Sequence, residues 1–488
     1  MKALRAALSI GLIATGALTA GSNAFASPHS TADGSSGVRD ASTPAPSVAS
    51  ATGTLADGAT WIADVPSNWN GTLLLFSHGY GPPLAADSPD QPGVKAALLA
   101  RGYALVGSSY NPTGSWWALQ SAVGDQFQAM DAVESGVLPH RPRQVLAVGE
   151  SMGGLISALE AQDGAGRIDG ALTTCGIVAG GVNLNNYQLD GEYALAQLLL
   201  PGQSVQLTGF EQPGDANATV TTLTNAATAA QQTAAGRARL ALAMAYINVP
   251  PWASAQNPPP SPRDPEGQEA AQFAVEFSSL FSIPGIFPNT LGFIEGSRYS
   301  LNQADGGGDA TWTKGVDFAS LLRDSPYKSE IEALYKKAGI SLKDDLTTLT
   351  QHANISANSA AVYSLKQTSV PTGHLDVPEL DIHTVADQLV PVQQEDFYAG
   401  LVRRAGSSDL LRQAYVASVG HCNFSAAEVV AAVQAISHRV ATGHWGSVAD
   451  TKQLDKDAAK LNLGAARFIP FNPGDLTGVN GPYNPAKN

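Results

Sequence analysis

Gln144-Val-Leu-Ala-Val-Gly-Glu-Ser-Met-Gly-Gly154 is the stretch on which the reading of this chain turns. Val145 to Val148 is an unbroken apolar run, the pattern of a strand buried on both faces of a parallel sheet. Gly149-Glu150-Ser151-Met152-Gly153 then fits G-x-S-x-G. Residues 154–162 read as a helix. Strand, sharp turn and helix form the setting in which this motif lifts a nucleophilic serine out of a strained turn. The glycines suit that geometry, because side chains beside the serine would clash as strand and helix approach. The plain alternative is a glycine-rich turn without chemistry.

Working outward, Thr72-Leu-Leu-Leu-Phe-Ser77 is a second buried strand, and it runs into His78-Gly79-Tyr80-Gly81-Pro82-Pro83. A glycine-rich loop at the carboxyl end of a parallel strand lies where α/β sheets gather their chemistry. Its backbone N–H groups can point at a developing oxyanion. Tyr103 to Gly107 and Ile168 to Thr174 read as further strands, and the latter ends at Cys175. Gln91 to Arg101 reads as a helix, and so does Ser115 to Ser135, which carries Trp116 and Trp117. Those tryptophans either line a substrate pocket or pack helix against sheet. Upstream, Thr52 to Val65 reads as one first strand.

Strand character returns at Glu379 to Val385, ahead of Asp387 and Val390-Pro391, and again at Leu411 to Val419, ahead of Gly420-His421. Ser425 is placed to cap a following helix. A serine hydroxyl needs a base to take its proton. The base is a histidine, and a carboxylate must hold it in the right tautomer. Of the nine histidines, His421 sits just past a strand in a Gly-flanked loop. His438 falls within the next predicted helix, and His444 beyond it. His78 reads as ordering its own loop. Asp387 follows a strand, whereas its rivals Asp381 and Asp376 fall within or before it. The expected set is therefore Ser151 as nucleophile, His421 as base and Asp387 as its orienting acid. The backbone N–H groups of Met152 and Tyr80 are the expected oxyanion donors. Substrate-contacting residues are not legible.

The stretch from about Ala179 to His374 differs. It holds amphipathic segments at Tyr187–Leu199, Ala218–Ala235, Arg237–Ile247, Glu266–Phe281, Tyr327–Lys337 and Lys343–His352, separated by Pro- and Gly-rich breaks. It is too long for an ordinary loop. It reads as a mainly helical cap inserted between two strands. Its Asp190, Glu192 and Asp345 read as solvated surface. In a peptidase, Asp190 or Glu192 would be the candidate anchor for a substrate amine.

The chain has 488 residues and a formal net charge of −14. That balance argues against nucleic acid or an anionic membrane surface as partner. Lys2 and Arg5, the apolar run from Ala6 to Ala20, and Ala24-Phe25-Ala26 compose a secretory signal over 1–26. No later run is long enough for a membrane span, so an exported protein without an integral membrane segment is expected after signal cleavage. Its two cysteines, Cys175 and Cys422, then suggest one disulfide, against two buried thiols. That bridge would clamp the histidine loop onto the sheet.

With these pieces in place the chain resembles the α/β-hydrolase superfamily, in the manner of a secreted serine esterase or lipase-like member with a large helical cap. The resemblance is carried by His78-Gly79-Tyr80-Gly81, Gly149-Glu150-Ser151-Met152-Gly153, Asp387 with Val390-Pro391, and Gly420-His421. It implies a mostly parallel eight-stranded sheet with helices on both faces. It also implies hydrolysis through an acyl-enzyme, with no metal and no organic cofactor. The expected layout is a signal peptide at 1–26, a disordered linker at 27–50, a first core part at 51–180, the cap at 181–375, a second core part at 376–445, and a tail at 446–488 packed across the surface. The leading expectation is a secreted serine hydrolase of small-molecule or polymeric carboxylic esters. A peptidase or amidase and an acyltransferase on the same triad are the alternatives, and a non-catalytic module is the reading from another class.

Overall fold

The computed structural model describes residues 46–479, apart from 112–115, 165, 279–286, 305 and 307. The expected signal segment and nearly all of the expected linker lie outside the described residues. The continuous apolar runs become strands β3 (Thr72–Ser77), β4 (Ala104–Ser108), β5 (Gln144–Glu150), β6 (Gly170–Thr174), β7 (Glu379–Ala386) and β8 (Leu411–Val419). Two further strands precede them, β1 (Val48–Thr54) and β2 (Thr60–Pro66), and one follows, β9 (Phe468–Ile469). Among the described residues these form one nine-stranded sheet in the order β1-β2-β4-β3-β5-β6-β7-β8-β9. Strands β3 to β8 run parallel. Strands β1, β2 and β9 join antiparallel at the edges.

Several local expectations are corrected. The stretch read as one strand over Thr52–Val65 is a hairpin, because the turn Ala56-Asp57-Gly58 breaks it. Asp57 caps that turn by accepting from the Ala59 amide. Strand β1 begins at Val48, inside the span read as linker. The ninth strand comes from the tail, expected only to pack across the surface, whose Phe468 and Ile469 pair with Val416 and Tyr415.

Alternate residues of the parallel strands serve the two faces, as the pleat requires. Leu74, Phe76, Leu146, Val148, Leu172 and Ile382 pack with helices α1 (Val94–Ala100) and α14 (Ala426–Thr442). Leu73, Leu75, Val145, Ala147 and Ala171 pack with α2 (Ala122–Gly136), α3 (Met152–Asp163) and α13 (Gln394–Ala405). Each such Val, Leu, Ile or Phe side chain, fully buried, stabilises the fold by ~1.5–3 kcal/mol. Helix α2 begins seven residues later than the helix read from Ser115, so Trp116 and Trp117 precede it. Helix α14 starts with a reciprocal cap. Ser425 Oγ accepts from the Glu428 amide at 3.2 Å, and Glu428 accepts from the Ser425 amide at 2.8 Å.

Between β6 and β7 the chain is helical: α4 (Gly180–Leu199), α5 (Pro213–Ala230), α6 (Ala234–Ile247), α7 (Pro265–Phe277), α8 (Thr290–Ala304), α9 (Phe318–Asp324), α10 (Lys328–Ala338), α11 (Leu342–His352) and α12 (Ser359–Ser369). These helices share an apolar core that includes Tyr193, Leu242, Tyr246, Trp312 and Phe318. Tyrosine hydroxyls tie it internally, with Tyr193 donating to the Leu349 carbonyl at 3.0 Å and Tyr246 to that of Phe318 at 2.9 Å. Asp190, Glu192 and Asp345, expected on the surface, are buried here. For Glu192 and Asp345 the reason is pairing. Glu192 meets Arg298 of α8 in an ion pair with no exposure on either side, and Asp345 takes two hydrogen bonds from Arg239. A last helix, α15 (Thr451–Leu461), packs beside α14 in the tail.

Candidate active site

Ser151 stands between the end of β5 and the first residue of α3, with φ 61° and ψ −119°. A serine with positive φ is strained, and such strain persists only where the surroundings enforce it. They do so through glycine. A β-carbon on Gly149 would lie 1.9 Å from the Gly153 carbonyl oxygen, and one on Gly153 would lie 1.8 Å from that of Ser77. The Ser151 amide is fixed by donating to the Thr174 carbonyl of β6 at 3.0 Å.

Asp387 follows β7 and is buried. One carboxylate oxygen, Oδ1, accepts from the amides of Leu389 at 3.0 Å and Val390 at 2.9 Å, which locks the turn. The other, Oδ2, lies 2.7 Å from His421 Nδ1. His421 follows β8, and its Nε2 lies 2.8 Å from Ser151 Oγ. Its side chain keeps 17% exposure, so the ring reaches a cavity while its acid partner does not. The two loops are stitched together. The Gly420 amide donates to the Ala386 carbonyl at 3.0 Å, and Thr384 Oγ1 donates to the Gly420 carbonyl at 2.9 Å. Burial alone would raise the Asp387 carboxyl, but His421, His383 and the Val390 amide outweigh it and hold it below its ordinary value.

The three side chains singled out in the sequence thus form one hydrogen-bonded chain, Ser151–His421–Asp387. The rivals do not. Asp381 is buried within β7, and Asp376 lies beside His374. His78 donates from Nδ1 to the Gly79 carbonyl at 2.8 Å and stacks on Tyr110 at 4.2 Å, which orders its own loop. That loop closes on the serine. A β-carbon on Gly79 would lie 3.2 Å from Ser151 Cβ. The Met152 amide is the first of α3, and no carbonyl earlier in that helix takes it. The next residue of the loop, Tyr80, is anchored by its side chain. Its hydroxyl lies 2.7 Å from Ser300 Oγ of α8, and its ring packs edge-on against Trp116 and Phe293.

Cys175, at the end of β6, is bridged to Cys422, the neighbour of His421, with 5.4 Å between α-carbons. Two spaces open at Ser151 and His421. One is a cavity of about 410 Å³ that also touches Glu150, Asp90 and Leu84. The other is a narrow apolar slot walled by Trp117, Ile177, Leu184 and Leu389. A larger cavity of about 920 Å³ lies beyond Tyr80 and Trp117, against Trp116 and Tyr299, and touches none of the three. Two groups near the site escaped the sequence reading. Glu150, inside the motif itself, lines the cavity. His383, inside β7, is buried behind Asp387. Nothing in their spacing marked them, since burial and packing give them their character.

No protein-family model matches the chain. An o-phthalyl amidase from Xanthobacter agilis is 28% identical over 458 residues, spanning 89% of this chain and 96% of that protein. Among solved structures, an esterase from Aspergillus oryzae is similar at 14% identity and a TM-score of 0.37, over 80% of this chain and 78% of that one. A rice cell-wall-degrading esterase from Xanthomonas oryzae is similar at 14% identity and a TM-score of 0.35, over 84% and 91%.

Proposed function

We propose that this chain is an α/β-hydrolase that works as a serine hydrolase, cleaving a carboxylic ester through an acyl-enzyme. The observation that carries this is the unbroken hydrogen-bonded line from Ser151 Oγ through His421 to Asp387 Oδ2. Ser151 attacks the substrate carbonyl and His421 Nε2 takes its proton. Asp387 steadies the imidazolium through Nδ1–H. The N–H groups of Met152 and Tyr80 hold the oxyanion, and one such donor is worth ~10²–10³ in turnover. The tetrahedral adduct collapses, the C–O bond breaks, and His421 returns its proton to the leaving alkoxide. Water repeats the sequence in reverse and frees Ser151. The residues between β6 and β7 act as a cap that shapes the slot beside Ser151. The slot's apolar walls favour an apolar or aromatic acyl group.

Amide cleavage by the same residues is the second reading, favoured by the similarity to an o-phthalyl amidase along nearly its whole length. A peptidase is less well supported, since Glu192 is committed to Arg298 and is not free to anchor an amine. Export is proposed from the sequence of residues 1–26 and is supported by the disulfide. No helix among the described residues is long and apolar enough to cross a membrane.

The test is hydrolysis of p-nitrophenyl esters from acetate to palmitate, with N-phthalyl amides beside them, by wild type and Ser151→Ala. Ester turnover by wild type and none by the variant is expected. Turnover confined to the amides would move the proposal to the second reading. Equal turnover by both proteins would refute it.

A further inference from the structure

Behind Asp387 lies a second buried histidine that the serine chemistry does not use. His383 sits on β7 with its side chain fully enclosed. Its Nε2 is 2.8 Å from the Val390 carbonyl oxygen, and its Nδ1 is 2.8 Å from Glu395 Oε1 of α13. A carbonyl oxygen only accepts, so Nε2 carries a proton. Glu395 is itself held on its other oxygen by Gln413 of β8, at 2.6 Å. His383 Nε2 also lies 3.7 Å from Asp387 Oδ2, the same oxygen that meets His421.

One residue joins these groups. The Val390 amide donates to Asp387 Oδ1, and the Val390 carbonyl accepts from His383. Val390 thus holds Asp387 through its amide and His383 through its carbonyl. The other ionisable groups around this point are Asp381 and Glu379 on β7, Tyr398 on α13, Tyr415 on β8, and His421 across Asp387. Burial and the neighbouring Glu379 and Glu395 push the Asp381 carboxyl well above its ordinary value, and burial pushes Glu379 up to about 7, with Tyr398 donating to it at 2.7 Å. Tyr398 and Tyr415 are neutral, both pushed up by burial. Glu395 faces His383 through Oε1 and accepts from Gln413 through Oε2. Burial opposes a charge on His383, but Glu395 and then Asp387 outweigh it and raise its pKa.

We propose that His383, protonated on both nitrogens and held by Glu395, is a positioning residue for the triad: it fixes the Asp387 turn through the Val390 carbonyl and presents a cation to the Asp387 carboxylate. This rests on the reading of Ser151, His421 and Asp387 as catalytic. The cation has a definite effect. It shares the Asp387 carboxylate with His421, so its loss in a variant should change how labelling of Ser151 depends on pH.

The experiment has two arms. First, ¹⁵N-histidine NMR of the wild type at pH 6.5 should show both His383 nitrogens protonated, and a neutral ring there overturns the proposal. Second, fluorophosphonate labelling of Ser151 is followed from pH 5 to 9 in wild type, His383→Gln and Glu395→Gln. Absence of labelling in wild type would instead remove the triad reading beneath the proposal. With labelling present, both variants should label more slowly by up to about 10²-fold, the scale of a misplaced catalytic group. Their acid limb should move, so that the loss at pH 6 differs from that at pH 8. A folded variant with a lower melting temperature and an unmoved limb would show a purely structural role and overturn the proposal. If neither variant folds, the NMR arm alone decides.

Discussion

Glu150 stands between Gly149 and Ser151, and its carboxylate accepts from Gln91 Nε2 at 2.8 Å. Gln91 donates from the same nitrogen to the Cys422 carbonyl at 3.0 Å. Burial pushes the Glu150 pKa up to about 7, against the opposing pull of Gln91 and His421. The folded state thus binds this proton more tightly than the unfolded chain, where the carboxyl returns to its ordinary value. Stability from this group falls as pH rises above that ordinary value, and the loss is complete once pH exceeds about 7. Glu150→Gln removes the titration. The drop in melting temperature between pH 5 and pH 8 should be smaller in the variant than in wild type. Gly153 tests the elbow. Its missing β-carbon would overlap the Ser77 carbonyl at 1.8 Å, so Gly153→Ala should lose fluorophosphonate labelling at Ser151 together with native circular dichroism. Ser151, Asp387 and His421 could be picked out in the sequence because each follows an apolar run, and parallel strands deliver their carboxyl ends to one edge. Glu150 and His383 could not, since their properties come from what buries them.

Helix α8 shows why elements were missed. Its buried positions Leu291, Ile294, Glu295, Arg298, Leu301 and Asn302 keep helical spacing, but half of them are polar. A search for apolar periodicity therefore passes over it. The charges are tolerated because Arg298 lies between Glu192 of α4 and Glu295, 3.2 Å from the latter, and also reaches the Leu207 carbonyl at 3.3 Å. Arg298→Met would strand two buried carboxylates and should cost about 3–5 kcal/mol in urea unfolding. Adding Glu192→Gln should restore part of that loss. Helix α15 was missed for the opposite reason, having only Leu454 and Ala458 buried. The central strands were legible because both of their faces are covered and their sequences are apolar throughout. The hairpin at β1 and β2 was not, since the exposed edge strand β1 carries almost no large apolar side chains.

At the scale of the molecule, the serine and its two partners come from opposite sides of the helical insertion. Ser151 precedes it, while Asp387 and His421 follow it. The bridge from Cys175 to Cys422 spans a sequence separation of 247 residues and encloses every helix from α4 to α12. Its effect on stability is the familiar constraint on an unfolded chain. Its effect on connectivity is different, because the two halves of the site are joined by two covalent routes, one through the backbone and one through sulfur. A single cut in the exposed run Gln256–Pro259 would open the first route and leave the second. A protease site placed there should yield one band on a non-reducing gel and two on a reducing one. The nicked protein should still label at Ser151, and Cys175→Ala with Cys422→Ala should release the fragments once unfolded. In covalent terms the insertion is a detour: the chain can be opened along it while the sheet that carries the site stays a single molecule.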